Sequence, residues 1–370
     1  MDYRKEIDGL RALAILPVVM FHSGLPMFNW GYIGVDIFFV ISGYLITSII
    51  YPKIKKNEFS FIEFYENRVR RLFPALFVMV AFSSVIALMI MDPKNLVEYS
   101  YSVFSSLFFY SNFFFWNEID YFEDSSELMP LLHTWSLSIE EQFYILFPII
   151  LIFFLTYTKH KASLLLNILC ILSFLLWCYG TLFHSTANFY LPITRAWELL
   201  AGAILSIHIY EKGFPKGKFS DVGILILILS FYIFSLDIEN KNLFMFFPVT
   251  GVILILLSKD HSFVVNLILK NKLFVFFGLI SYSLYLYHQP IFAFAKVFFV
   301  DLDNAQTIFI VALSILISYI SWRFVESIFR KRLNSKISFQ NTLNLLTLPL
   351  LISITIGSYS IYTDGNMKTT

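Results

Sequence analysis

The chain consists largely of apolar runs of about twenty residues separated by short charged segments. A helix needs about 20 mostly apolar residues to cross the hydrocarbon core of a bilayer. A helix also satisfies its backbone hydrogen bonds within one segment, as lipid requires. We therefore predict an all-α fold, a polytopic membrane helical bundle. Its eleven predicted spans are residues 7–25, 33–51, 72–91, 138–157, 162–181, 193–210, 220–236, 242–258, 273–298, 305–325 and 343–361.

Composition supports a membrane protein and excludes two other classes. Of the 370 residues, 58% are hydrophobic and only 14% are charged, whereas a soluble domain has about 25% charged residues. The formal net charge of +1 offers no basic surface for a polyanion. We expect neither an ordinary soluble enzyme nor a nucleic-acid partner, and the lipid bilayer is the predicted partner.

The segment 95–116 is ambiguous because it is aromatic and rich in serine. If it crosses the membrane, several basic clusters fall outside, against the tendency of Lys and Arg to stay in the cytoplasm. If it is re-entrant or interfacial, those clusters and the basic segments 53–56 and 68–71 all face the cytoplasm. We predict this second topology, with the N-terminus in the cytoplasm and the acidic segment 117–127 and the C-terminus outside.

Ionisable side chains inside the spans mark candidate functional sites because they are costly in lipid. Arg11 and His22 are eleven residues apart, so on a helix they share one face about 16 Å apart along the axis. The alternative is a snorkelling arginine and a structural histidine. Asp36 begins the second span at a depth similar to that of His22, where it can orient a general base or cap the helix N-terminus.

Two arginines precede the third span. Arg68 and Arg71 are three residues apart and point to one side of a helix. Paired guanidinium groups suit bidentate phosphate binding. The alternative is an anchor at the lipid headgroups.

Further polar residues concentrate at the outer ends of later spans. Glu140 and Glu141 are adjacent carboxylates inside a predicted membrane span. Their position is hard to explain if they are merely solvent-exposed side chains. Arg195 and Glu198 can form an ion pair on the face that carries Gly202, a residue suited to close helix packing. The remaining polar residues of this outer set are His133, Trp135 and His288.

The polar residues divide by predicted depth into an inner set of arginines and an outer set of histidines and carboxylates. Such an arrangement can accept a phosphate-bearing donor from inside and deliver a group outside. The histidines lack a metal-ligand spacing such as HExxH, so we expect no metal.

Several long motifs resemble acyltransferase family three of integral membrane proteins, the O-antigen acetylase-like group. They cover about residues 1–332 in register. The motifs are Arg11-x10-His22, Arg68-x-x-Arg71, IDGLRA, GYIGVDIFFVISGYLI, LLHTWSLSIEEQFY, TRAWELLAG, ISYSLYLYHQP and SWRFVESIFRK.

The resemblance implies a membrane acyltransferase domain of ten core helices, assigned here to residues 1–335. It implies transfer of an acetyl group from cytosolic acetyl-CoA to a hydroxyl of a cell-envelope glycan, across the bacterial cytoplasmic membrane. In the family, the residues tied to activity match Arg11, His22, Arg68 and Arg71.

Residues 336–370 hold a linker, the eleventh span and an outward tail. This arrangement resembles the branch in which an extra helix leads to an extracytoplasmic SGNH-type domain, which is a further expected partner. The Gly-Asp-Ser block of that domain does not occur in these 370 residues.

The predicted mechanism is direct transfer in a ternary complex, with a covalent acyl-histidine as the alternative. Arg11, Arg68 and Arg71 hold the CoA phosphates. His22, oriented by Asp36 or another outer carboxylate, takes the proton of the acceptor hydroxyl.

The remaining outer residues have secondary roles in this prediction. His288 is the rival base, and Glu140 and Glu141 are further catalytic candidates. His133 is expected to be solvent-exposed because it lies in a loop. The residues predicted to contact the acceptor are His133, Trp135, Arg195 and Glu198.

A transporter or flippase of envelope glycan precursors is the alternative class of protein, with Glu140 and Glu141 as proton carriers. Consumption of the thioester distinguishes the two classes, because a carrier releases no free CoA.

Overall fold

The computed structural model describes residues 3–118, 128–157, 162–217, 219–299, 302–330 and 339–365. All regular secondary structure in these ranges is helical, which confirms the all-α prediction. Each predicted span coincides with a helix. The helices are α1 (Lys5–His22), α2 (Gly34–Lys55), α3 (Phe61–Ile90), α4 (Pro93–Leu107), α5 (Ser111–Glu118), α6 (Thr134–Tyr157), α7 (Ala162–Phe183), α8 (Ser185–Tyr190), α9 (Pro192–Lys212), α10 (Phe219–Ser235), α11 (Phe246–Leu257), α12 (Phe263–Leu269), α13 (Lys272–Phe298), α14 (Asn304–Ser321), α15 (Ser327–Arg330) and α16 (Phe339–Tyr362).

Six helices within the described ranges are long and apolar enough to cross a bilayer. α12 and α13, which meet at an angle of 47°, make a seventh if they form one span, and two further apolar helices hold up to 17 residues each. The chain is therefore a multi-pass helical membrane protein, and the number of eleven spans stays a prediction. The six helices are Gly31–Lys55, Phe61–Ile90, Thr134–Tyr157, Ala162–Phe183, Asn304–Phe329 and Leu343–Tyr362.

The ambiguous segment 95–116 is not one continuous helix. α4 and α5 are separated by a turn in which Phe109 has a φ of 54°. α4 has 15 residues, so it is about 22 Å long, shorter than the ~30 Å hydrocarbon core. It packs against α3 and α16. The break agrees with a segment that does not cross, and its re-entrant or interfacial position stays a prediction. The acidic residues 119–127 lie outside the described ranges.

The helices form two compact units. The first comprises Met1–Phe59 and Ile139–Ser281, and the second comprises Ser60–Ser138 and Tyr282–Thr370. The division falls within α6 and α13, so each of these helices contributes residues to both units.

In the first unit, α2 and α9 cross with their backbones in contact. A Cβ at Gly43 would lie 1.9 Å from the carbonyl oxygen of Leu199, and one at Gly202 would lie 2.0 Å from that of Val40. Only glycine fits at either position. This confirms the predicted role of Gly202 in close packing.

Replacing Gly43 with alanine should destabilise the first unit by about 1–3 kcal/mol, because the added methyl overpacks a rigid crossing. Thermal unfolding in detergent measures the loss. Gly357→Ala is the matched control, since its new Cβ would meet only the Phe104 side chain, at 3.2 Å. An equal loss in both variants would contradict the crossing as the cause.

Candidate active site

α1 carries both Arg11 and His22, and His22 is its last residue. The His22 Nδ1 lies 2.9 Å from the carbonyl oxygen of Val18. A carbonyl oxygen only accepts hydrogen bonds, so Nδ1 carries the proton and the neutral ring keeps its lone pair on Nε2. Nε2 is therefore the atom that can take a proton from a hydroxyl.

Charged residues gather near the other end of α1. The Arg11 guanidinium lies 3.8 Å from the Asp8 carboxylate, which also accepts a hydrogen bond of 2.6 Å from the Tyr3 hydroxyl. Arg11 thus belongs to a local charge cluster in the first unit.

A neighbouring network joins the start of the chain to the end of α11. Arg4 donates to the Glu6 carboxylate at 2.7 Å and to the carbonyl oxygens of Leu256 and Ser258, each at 3.1 Å. The guanidinium thereby satisfies carbonyl groups at a helix C-terminus, where a cation is favourable. Sequence reasoning missed this network because its members are about 250 residues apart and no local pattern connects them.

Glu6 is the centre of that network and precedes the first predicted span. The Nε2 of His261 lies 3.4 Å from one Glu6 oxygen, and the ammonium of Lys270 lies 3.9 Å from the other. Burial opposes ionisation, but the nearby His261 ring and the hydrogen-bonded Arg4 guanidinium outweigh it and lower the pKa of Glu6 from 4.5 to about 2. Folding therefore favours the ionised carboxylate.

This lowered pKa predicts a pH-dependent stability. The stabilisation from Glu6 is fully present above about pH 4.5 and is lost as the pH falls towards about 2, because the unfolded chain takes up the proton first. The difference in unfolding temperature between the wild type and Glu6→Gln should shrink across that window. Glu58→Gln, at an exposed position, is the control and should show no such trend.

Among the described residues of the first unit, the most deeply buried charges are Asp36, Arg195 and Glu198. The Nη2 of Arg195 lies 2.6 Å from the Asp36 carboxylate and 3.4 Å from that of Glu198, and each side chain is at most 1% exposed. The guanidinium also lies over the ring of Trp177, 4.7 Å from its centroid. The predicted Arg195–Glu198 ion pair is confirmed, and Asp36 joins it from α2.

The structure corrects the expected partner of Asp36. The α2 helix has Ile33 at its N-cap without a side-chain bond, so Asp36 is not a cap. Its carboxylate bonds to Arg195, whereas the His22 ring is held by the carbonyl of Val18. The physical reason is the close crossing of α2 and α9, which brings a guanidinium to the buried carboxylate; sequence spacing does not reveal such a crossing.

Contact geometry distinguishes the two acids of this cluster. Asp36 accepts a short hydrogen bond of 2.6 Å from Arg195. Glu198 lies 3.4 Å from the same guanidinium, and neither of its oxygens accepts a hydrogen bond. Asp36 is therefore the principal counter-ion of Arg195.

Asp36→Asn and Glu198→Gln should consequently differ in stability. Asp36→Asn removes the counter-ion of a buried guanidinium and should cost about 3–5 kcal/mol. Glu198→Gln removes only the longer contact of 3.4 Å and should cost clearly less. Unfolding temperatures in one detergent compare the two. A greater loss in Glu198→Gln would contradict Asp36 as the principal counter-ion.

Glu140 and Glu141 differ in their surroundings. Glu140 accepts hydrogen bonds of 3.0 Å from the hydroxyls of Ser42 and Tyr144. The bond from Ser42 connects α2 with α6. Glu141 is buried. The two carboxylates therefore lie within the first unit, and neither is merely a solvent-exposed surface group.

The arginines of α3 belong to the second unit. Arg68 is buried, and its guanidinium lies over the ring of Phe64, 5.8 Å from the centroid. Arg70, which sequence reasoning did not single out, is also buried and pairs with Glu66 at 3.0 Å. Arg71 is only partly buried. An i, i+4 pairing with Glu66 was the signal that could have found Arg70.

His133 and His288 meet in the second unit. Their ring centroids are 5.5 Å apart, and each is 5.5 Å from the ring of Tyr285. The Tyr285 hydroxyl donates to the His133 carbonyl oxygen at 2.8 Å and bonds to Ser136 at 2.5 Å. The Nδ1 of His288 lies 3.0 Å from the Leu284 carbonyl, the same arrangement as in His22.

The prediction that His133 is solvent-exposed is wrong. His133 is 2% exposed, His288 is 0% exposed, and Trp135 is also buried. The residues before α6 form hydrogen-bonded turns. The last of these residues is His133, and the Tyr285 hydroxyl of α13 donates to its carbonyl oxygen. A loop position in the sequence does not reveal this long-range bond.

These observations define a class of protein: a polytopic helical membrane protein with buried ion-pair and imidazole clusters. Residues 4–323 match the family described as an acyltransferase domain, and the chain belongs to that family. The predicted resemblance is confirmed. No solved structure matches the chain.

Similar proteins include three whose names describe O-acetyltransferases or putative O-acetyltransferases. The chain is 33% identical to "Peptidoglycan O-acetyltransferase OatA" of Listeria monocytogenes, over 89% of this chain and 56% of that protein. It is 34% identical to "Putative peptidoglycan O-acetyltransferase YrhL" of Bacillus subtilis, over 78% and 48%. It is 30% identical to "Putative O-acetyltransferase SAS0844" of Staphylococcus aureus, over 90% and 58%. The chain thus spans about half the length of these relatives.

Proposed function

We propose that this chain carries a membrane O-acyltransferase activity that moves an acetyl group from acetyl-CoA to a hydroxyl of a cell-envelope glycan. The observation that carries the proposal is the family match over residues 4–323. Two of the relatives are named for peptidoglycan, which makes it the first acceptor to test.

The donor side of the proposal uses Arg68 and Arg71 as ligands of the CoA phosphates, and Arg11 stays a candidate from the sequence. A lipid-headgroup anchor keeps its guanidinium in water, whereas Arg68 is buried beside Phe64. That burial supports the binding role over the anchor. We place the donor on the cytosolic side of a bacterial cytoplasmic membrane, with an inward N-terminus and an outward C-terminus, from the distribution of Lys and Arg.

The acceptor side of the proposal uses His22 as the general base. The hydroxyl oxygen attacks the thioester carbonyl carbon while Nε2 of His22 takes the hydroxyl proton. The carbon–sulfur bond then breaks, and His22 returns the proton to the departing thiolate. The Nδ1 bond to Val18 supports this role because it fixes the ring with the lone pair on Nε2.

The remaining predicted outer residues have structural or secondary roles in this proposal. The Asp36, Arg195 and Glu198 cluster sets the crossing of α2 and α9. An extracytoplasmic SGNH-type domain is a further partner in this proposal. His288 is the rival base in this proposal, and Glu140 and Glu141 are further catalytic candidates.

The test compares donor binding with turnover. His22→Ala should lower release of free CoA in the presence of peptidoglycan fragments by about 10²–10⁴ with CoA affinity unchanged. Arg68→Ala should weaken CoA binding by about tenfold to a hundredfold, and Arg68→Lys should recover little of it because lysine lacks the planar fork. Calorimetry and thiol detection measure the two quantities.

His184→Ala, at an exposed histidine, is the matched control and should keep both activity and binding. Near-normal turnover in folded His22→Ala would move the base to another residue. Binding of the glycan without any release of CoA would favour a carrier.

A further inference from the structure

The arginines of α3 lie on a stretch of helix that a proline weakens. Arg68 and Arg71 precede Pro74, which lies inside the continuous helix. Proline has no backbone N–H, so it removes one hydrogen bond from the turn that contains Arg71. We therefore expect this turn to depend on support from outside α3.

One face of the same stretch is buried. Phe64, Arg68 and Leu72 follow at intervals of four residues, which places them on one face of the helix. Each of the three is at most 8% exposed, and the Arg68 guanidinium lies over the Phe64 ring. Leu72 thus lies one turn from Arg68 and directly after Arg71.

A tyrosine of α13 bonds to the backbone at this position. The hydroxyl of Tyr282 donates to the carbonyl oxygen of Leu72 at 2.8 Å. A carbonyl oxygen has two lone pairs, so it can accept this bond in addition to a bond within the helix. The two residues are 210 positions apart in the chain, and both belong to the second unit.

The neighbour of Tyr282 ties α13 to a second element that contacts α3. Ser283 donates to the carboxylate of Glu326 at 3.2 Å, and Glu326 is 2% exposed. Glu326 ends the π-helical turn Trp322–Glu326, which packs against α3. Turns of this kind are frequent at functional sites. Consecutive residues of α13 therefore bond to α3 and to a turn that packs on it.

We propose that Tyr282 is a positioning residue of the donor site, because its bond to Leu72 holds the turn that presents Arg68 and Arg71 to the phosphates of CoA. The inference rests on the proposed function, in which these arginines bind the donor. In this role Tyr282 does not touch the reacting atoms. Its loss therefore weakens donor binding and leaves the chemical step unchanged.

The first test is Tyr282→Phe, which keeps the ring and removes only the hydroxyl. CoA affinity, measured by calorimetry on the full chain, should fall about threefold to tenfold, the usual effect of one hydrogen bond. KM for acetyl-CoA should rise by a similar factor while kcat stays unchanged, as expected when only binding is lost.

Tyr99→Phe is the matched control. The Tyr99 hydroxyl also contacts α3, because it lies 3.5 Å from the carbonyl oxygen of Val80 and 3.2 Å from the hydroxyl of Ser84. Val80 lies about two helical turns beyond Leu72. This variant should leave both CoA affinity and KM unchanged.

Two further measurements separate positioning from a general loss of stability. In the CoA-free protein, Tyr282→Phe should speed amide hydrogen exchange in residues 70–76, and Tyr99→Phe should not. In a background that carries both Arg68→Ala and Arg71→Ala, Tyr282→Phe should add no further loss of CoA affinity, because it acts through those arginines. A general loss of stability would act equally in both backgrounds.

The outcomes distinguish this inference from the proposed function. Unchanged CoA affinity in folded Tyr282→Phe, an equal loss in Tyr99→Phe, or an undiminished loss in the background without the arginines would overturn the positioning role. If the wild type still releases CoA from acetyl-CoA, the proposed function stands. A wild type that binds CoA but releases none in the presence of acetyl-CoA and glycan would contradict the proposed function, whereas the expected loss of affinity would still support the role of Tyr282 in binding.

Discussion

The arrangement of the first unit depends on one buried contact, the guanidinium of Arg195 against the carboxylates of Asp36 and Glu198. Charges in a dry interior are tolerated only when they are paired with good geometry. The pairing requires α2 and α9 to approach closely, and the glycines at their crossing permit that approach. The helix packing and the electrostatics therefore depend on each other: a larger residue at the crossing would separate the charges, and loss of a charge would leave the crossing with an uncompensated ion.

The second unit combines buried ions with imidazole groups. The buried guanidinium of Arg70 pairs with Glu66. The backbone of His133 is held by a tyrosine hydroxyl, and the His288 ring is held by a helix carbonyl. Imidazole is a useful group in such surroundings because its neutral form carries both a donor and an acceptor.

The sequence predicted the helical fold, the positions of the helices and the family, because apolar run length and long motifs are local properties. It also predicted the Arg195–Glu198 pair, which follows from i, i+3 spacing. It did not predict the partner of Asp36, which is about 160 residues away in the chain. It also did not predict the burial of His133, which depends on Tyr285. The Arg4 and Glu6 network was missed for the same reason. Local periodicity determines which face a residue occupies, whereas the crossing of helices determines what lies opposite that face.

The bonds from Arg4 to the backbone of Leu256 and Ser258 have a consequence for biogenesis. Their partners are separated by 252 and 254 residues, so α1 is synthesised first but completes its contacts only after about two-thirds of the chain has left the ribosome. Until then Arg4 has only its nearer partners, such as Glu6. Nascent chains released before the α11 to α12 connection should therefore be preferred substrates of membrane quality control.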